Sequence, residues 1–196
     1  MAKQTSGTEH ILSQIGQLKG PAPVHEWDPP YCGEMDMRIA SDGRWYHEGS
    51  PIGRSQLVRL FSSILRKDPD GYHYLVTPVE KVRIQVDDCP FVAQLMDVDE
   101  VNGESQITFT LNTGETVTAD AQHSIEVTVD DDNQPHPVVH VRDGLWALIS
   151  RSVFYSLVEV ADQMRPDDSK NTNNNKEVKT ELVVSSCGRS FVLGTV

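Results

Sequence analysis

Between Asp36 and Ser55 the chain reads DMRIASDGRWYHEGSPIGRS. It gathers carboxylates, guanidinium groups, a tryptophan, a histidine and a glycine-proline loop. Residues of these types suit the capture of a polar or anionic group. Arg38, His47 and Arg54 supply cationic or donor groups, and a helix opening near Ser55 would present its backbone N–H groups to negative charge. The candidate ligand-binding set is therefore Asp36, Arg38, Trp45, His47, Arg54 and Ser55. Against it stands the ordinary use of such residues, with Ser55 capping the helix and Arg54 solvated on the surface. GSPIGRS has glycines and a serine but not the G-x-x-x-x-G-K-[ST] spacing of a phosphate loop.

The same residue types admit two other chemistries. His47 as a base with Asp36 or Glu48 would suit a hydrolase, but no G-x-S-x-G nucleophile accompanies them, and no catalytic residue is assigned. The plainer use of Asp36, Arg38 and His47 is a cross-strand hydrogen-bond network. Cys32, Asp36, His47, His73 and Cys89 are metal-ligand types without i, i+3 or i, i+4 pairing. Asp130-Asp131-Asp132-Asn133 lacks the glycine and glutamate of a calcium loop, so no metal and no cofactor is expected. Cys32 would be reactive if exposed, but nothing near it in sequence stabilises a thiolate, and a buried apolar role is its default.

The elements that must position these side chains follow from periodicity and turn chemistry. Ser6 to Glu9 has capping-box form, and Ile11, Leu12, Ile15 and Leu18 recur at helical spacing, so a short helix ends at Gly20-Pro21. A proline-rich linker follows, in which Trp27 and Tyr31 are expected to pin the chain to the core. Met35 to Ile39 alternates, Asp42-Gly43 predicts a two-residue hairpin turn, and Arg44 to Glu48 returns. That turn would pair Arg38 with His47 and set Asp36, Arg38, Trp45 and His47 on one face, with Met35, Met37, Ile39 and Tyr46 on the other. Ser55 then opens a helix through Leu65, stopped by Asp68-Pro69-Asp70-Gly71.

Six strand-like runs follow, YHYLVTP, KVRIQV, FVAQLMDV, SQITFTL, ETVTA and SIEVTV, joined by Asn-Gly and Thr-Gly turn signals that read as antiparallel meanders. VDDDNQPHP reads as an acidic loop. VVHV, the turn RDGL and WALI precede a helix from Ser152. An asparagine-rich segment near 166–180 lacks apolar period, and LVVSSCGRSFVLGTV closes as a hairpin.

Two segments align: SDGRWYHEGSPIGRSQLVRLFSSI and RDGLWALISRSVFYSLVEVA. Asp42, Gly43, Trp45, Arg54 and Ser55 correspond to Asp143, Gly144, Trp146, Arg151 and Ser152, with four extra residues in the first copy. The pattern predicts an internal duplication and makes both tryptophans equivalent buried packing groups. The fold class is α+β: two related small units, each a β-hairpin followed by a helix, with antiparallel sheet, preceded by an N-terminal helix. The expected divisions are an arm at 1–24, a first unit at 25–88 and a second at 89–196.

Composition narrows the partners. A net charge of -12 and a pI near 4.9 over 196 residues argue against nucleic acid and anionic membrane surfaces. Three cysteines without a C-x-x-C pair fit reduced thiols. Neither an apolar leader nor a run of membrane-spanning length is read, and a cytoplasmic location is expected.

The segments P-P-x-C-G-x-x-D-M-x-I from Pro29, D-G-x-W-x-H-x-G-x-P-I-x-R from Asp42, and LVTPVEK from Leu75 resemble the bacterial domain-of-unknown-function family twelve-eighty-five. The resemblance implies two similar small α+β domains, agreeing with the duplication. It also implies a regulatory or signalling role with ligand or partner binding, and it supplies no catalytic residues; the residues themselves point to a small polar or anionic ligand or a protein partner. The expectation is a non-enzymatic regulatory protein, with hydrolysis through His47 as the alternative; the sequence does not indicate an oligomeric state.

Overall fold

The computed structural model describes residues 11, 22–130, 132–163 and 181–195. The expected leader helix and the asparagine-rich segment lie outside the described residues, apart from Ile11, which is helical and buried. The chain divides into two units, one comprising the described residues up to Pro90 with Asp143–Leu145, the other Phe91–Arg142 and the described residues from Trp146 on. Among the described residues no helix is long and apolar enough to cross a membrane.

The first unit runs β1 (Tyr31–Ile39), β2 (Trp45–His47), β3 (Ser50–Pro51), α1 (Ser55–Ser63), β4 (Leu65–Lys67), β5 (His73–Val76) and β6 (Lys81–Val86). Its strands form one six-stranded sheet, sheet A, in the order β3-β2-β1-β6-β5-β4. The second unit runs β7 (Phe91–Val101), β8 (Glu104–Leu111), β9 (Thr116–Thr118), β10 (Ile125–Val129), β11 (Pro135–Arg142), β12 (Leu145–Ile149), α2 (Arg151–Gln163), β13 (Glu181–Ser186) and β14 (Arg189–Thr195). Its six-stranded sheet, sheet B, has the order β10-β11-β12-β7-β8-β9. Numbered within its own unit, each sheet reads 3-2-1-6-5-4.

This shared order is a likeness between the units that spans whole sheets. The two Asp-Gly-x-Trp hairpins do not occupy equivalent places in it. In sheet A the central strand of the hairpin is β1, before the turn; in sheet B it is β12, after the turn. The sheets are also mixed rather than wholly antiparallel, because β1 pairs with β6 and β12 with β7 in parallel. A parallel pair has no turn of its own to announce it in sequence, since its strands are joined only through distant crossovers.

The loop after β1 is one residue longer than a two-residue turn. Ile39 is opposite Trp45, Arg38 opposite Tyr46 and Met37 opposite His47. The Gly43 N–H donates to the Ala40 carbonyl and the Ala40 N–H to the Arg44 carbonyl, with Gly43 at φ 81°. This is a three-residue loop with glycine in the left-handed position. One residue of slip turns a strand over, so Trp45 and His47 join Met37 and Ile39 on the buried face, opposite Arg38. At the second site both Asp143 (φ 49°) and Gly144 (φ 73°) are left-handed, the two-residue turn. The two tryptophans therefore differ. Trp45 is buried and stacks on Phe61 at 6.2 Å between ring centroids, whereas Trp146 is half-buried, edge-on to His140 at 5.0 Å.

Helix α1 stops earlier than its apolar period suggests. The hydroxyls of Ser62 and Ser63 donate back to the Arg59 and Leu60 carbonyls, a competing bond that weakens a helix end. Leu65 then starts β4, and Asp68–Gly71 is the β4–β5 turn rather than a helix stop. Arg54, not Ser55, occupies the N-cap, its carbonyl accepting from Leu57 and Val58. In the second unit β11 begins at Pro135, inside the segment expected to be loop, and the closing hairpin β13–β14 forms as expected. Helix α2 packs on β13 and β7 through a stripe that includes Val153, Phe154, Leu157 and Ala161. The buried Ser186 hydroxyl ties β13 down, donating to the Ala119 carbonyl at 2.7 Å and accepting from the Ile107 N–H at 2.9 Å.

The proline-rich segment is irregular, as its prolines require, so its carbonyls need partners outside a ladder. Arg66 on β4 supplies them. Its Nη1 donates to the Val24 and Trp27 carbonyls, each at 2.8 Å, while Nε donates to Asp68 Oδ1 at 2.6 Å. Lys81 Nζ reaches Asp68 Oδ2 at 2.8 Å. Val24, Ala22 and Pro29 are the buried members of the segment. Trp27 is half-buried and Tyr31 exposed, so these two are not the pins expected. Burial acts to raise the Asp68 carboxyl, but the bonds from Arg66 and Lys81 outweigh it and hold the group below its ordinary range. Arg66→Ala should cost about 3 kcal/mol in chemical denaturation, the loss of one partner from a largely buried pair. Arg66→Lys should recover little of it, because one ammonium cannot span two carbonyls and a carboxylate. Full recovery in the lysine variant would show that charge alone matters here.

Candidate functional site

The strand alternation of β1 and β6 gives sheet A two different faces. Met37, Ile39, Trp45, Val82 and Ile84 are buried, and Phe61 of α1 stacks on Trp45 on that side. Glu34, Asp36 and Arg38 on β1, and Lys81, Arg83 and Gln85 on β6, point the other way. Across the parallel pair Glu34 is opposite Arg83 and Arg38 opposite Gln85. A step of four residues on β1 thus matches a step of two on β6, an irregularity that takes the stretch around Asp36 out of register with β6. Bulges of this kind re-aim side chains and are enriched beside binding sites.

Over this polar face lies a cavity of about 680 Å³, within the usual range for small-molecule sites. Glu34, Asp36, Arg38, Tyr72, Arg83 and Gln85 are among its lining residues, with Gly71 and His73 beside Tyr72. Its charges are paired in advance. Arg38 Nε donates to both Asp87 oxygens at 2.9 Å, Nη2 also bonds Asp87, and Gln85 Nε2 donates to Asp87 Oδ1 at 3.0 Å. Arg83 bonds Glu34 and lies 4.5 Å from the centre of the Tyr72 ring, a cation–π contact. Tyr72 itself is 52% exposed. The bonds to Asp87 raise Arg38 above its ordinary value, and the bond from Arg38 holds the Asp87 carboxyl below its own.

Of the six residues expected to bind ligand, the structure brings Asp36 and Arg38 to this cavity. Trp45 is behind the sheet, and His47 lies on that same inner face by its pairing with Met37. Arg54 and Ser55, exposed at the start of α1, do not line the cavity. The expected shared face of Asp36, Arg38, Trp45 and His47 is thus corrected by the longer loop. Glu34, Tyr72, Arg83 and Gln85 were not singled out from the sequence. The alternation in KVRIQV signals which β6 residues point together, but only the parallel pairing brings them to β1.

The hydrolytic pair of His47 with Asp36 is divided between faces, and Glu48 is engaged through its N–H with the Asp36 carbonyl. Cys32 is exposed rather than buried, as is Cys187, while burial pushes the Cys89 thiol up to about 12, with Asp88 adding to the effect.

Residues 22–89 match the family described as domain of unknown function DUF1285, N-terminal domain, and residues 90–193 match its C-terminal domain. A crystal structure of a DUF1285 family protein from Silicibacter pomeroyi DSS-3 is 41% identical, with a TM-score of 0.82, covering 98% of this chain and 97% of that one. Another DUF1285 family protein, from Shewanella baltica OS155, is 26% identical with a TM-score of 0.49, covering 64% of this chain and 91% of that one. No curated protein matches.

His73, opposite Ile84 and so on the inner face of sheet A, gives the first unit a pH dependence. Burial, helped by Lys67, lowers its imidazole from 6.5 to about 4. A lowered folded value means the unfolded chain takes up the proton first, so stability is full above 6.5 and falls as pH drops toward 4. Urea denaturation at pH 7 and at pH 4.5 should show a larger loss for the wild type than for His73→Gln. Equal losses in the two proteins would place His73 in solvent.

Proposed function

We propose, from the premise that this chain belongs to the DUF1285 family, that it is a non-enzymatic regulatory or signalling protein whose open face of sheet A binds a small polar ligand. The observation that carries this reading is the cavity of about 680 Å³ over the irregular stretch of β1, where the register against β6 shifts between Glu34 and Arg38, with an exposed aromatic ring at Tyr72. Both guanidinium groups in the cavity already face carboxylates, so a simple anion would have to displace Asp87 or Glu34. A ligand carrying both a cationic and an anionic group can meet Asp36 with the first while the second takes the place of the exposed Glu34 carboxylate on Arg83, so that charges stay matched. The anionic part of the expectation is therefore narrowed to a zwitterionic or hydrogen-bonding polar ligand. A cytoplasmic setting belongs to the same reading, in keeping with exposed free thiols at Cys32 and Cys187.

A protein partner on this face remains the second binding possibility, and hydrolysis through His47 with Asp36 or Glu48 the alternative from another class. A thermal-shift screen of amino acids, short peptides and polar metabolites separates them. A true ligand at one hundred times its Kd stabilises by about 2.7 kcal/mol, which is roughly 5–10 °C for a chain of this size. The double variant Asp36→Asn/Arg83→Gln should fold and lose that shift. Ligands that stabilise wild type and double variant alike would overturn the assignment of this face. Turnover that disappears in His47→Ala would favour the hydrolase.

A further inference from the structure

The second unit holds a cavity of a different character. It measures about 280 Å³ and is lined by Gln134, Pro135, His136 and Pro137 of the β11 end, Leu148 and Ile149 of β12, and Arg151, Phe154 and Tyr155 of α2. Its walls are mainly apolar. Ile149, Phe154 and Pro137 are buried and Leu148 half-buried, whereas Tyr155 is 60% exposed at the rim. Two prolines contribute no donor to this surface. Arg151 is exposed at the same rim and forms no ion pair among the described residues.

Size and charge together define an occupant. A dry apolar cavity of about 150 Å³ accommodates benzene, so this one has room for an aromatic ring and a short side chain. A ring of that kind would meet Phe154, Pro137 and Leu148, and the exposed Tyr155 offers an edge or face for an aromatic contact. The guanidinium of Arg151 presents planar paired donors that match a carboxylate. We infer that this pocket in the second unit binds a small aryl carboxylate, its ring on the Pro137–Phe154 wall and its carboxylate on Arg151. This site is separate from the polar face of sheet A, and its ligand differs in having an apolar body.

Phenylacetate is the probe. Titrated into the isotopically labelled full chain, it should give saturable amide shifts confined to residues 134–137 and 148–155. Phenylacetamide, equal in shape but uncharged, should bind at least about tenfold more weakly, the size of a lost charge-assisted bond. Arg151→Gln, a surface change that leaves the fold intact by its own spectrum, should bring phenylacetate to the level of the amide. Cyclohexaneacetate tests the aromatic contact and should bind more weakly than phenylacetate. The inference is overturned if phenylacetate fails to saturate, if its shifts fall elsewhere, or if acid and amide bind equally. Unchanged binding in Arg151→Gln would overturn it too.

Discussion

The placement of Trp45 against Phe61 is the contact on which the first unit depends. The three-residue loop Ser41-Asp42-Gly43, one longer than a tight turn, brings Trp45 onto the Met37–Ile39 face. Once the ring is buried there, the register of β2 on β1 has no alternative that keeps an indole out of water. Everything on the other side follows. Glu34, Asp36 and Arg38 face outward because Met37 and Ile39 face inward, and β6 repeats the division with Val82 and Ile84 buried. The polar cavity is therefore the reverse side of a hydrophobic constraint.

That outer face is held in shape by charge pairs along its strands. Arg38 with Asp87, Arg83 with Glu34, and Lys81 and Arg66 with Asp68 form a series of matched groups across sheet A. The exposed members contribute little to stability, as solvated ion pairs do. Their effect is on shape and selectivity: they keep long side chains in fixed positions and leave little net charge to attract an anion. Arg66 differs because it is mostly buried and replaces the ladder partners that a proline-rich segment cannot have.

Much of the fold was legible in the chain. Alternation located most strands, Asp-Gly and Asn-Gly located the reversals, and the apolar stripes located both helices. What was not legible is instructive. Asp42-Gly43 and Asp143-Gly144 look alike in sequence, yet one sits in a three-residue loop and the other is a two-residue turn; the difference is decided by which face each tryptophan must take. Leu65 fits both a helical stripe and a strand, and sheet pairing with Leu75 settles it. The parallel pair β1/β6 depends on contacts some fifty residues apart, so Arg83 and Gln85 could not be joined to Arg38 from local pattern. Of the candidate site, Asp36 and Arg38 were recoverable; their neighbours were not.

The measurement that bears most directly on the central claim is amide chemical-shift mapping of the labelled protein with a stabilising polar ligand. The account predicts saturable shifts along Glu34–Arg38, Gly71–His73 and Arg83–Val86, the strands that border the polar cavity. Shifts centred instead on Trp45, His47 and the start of α1 would contradict it, because they would place the ligand on the face that the register turns toward the core.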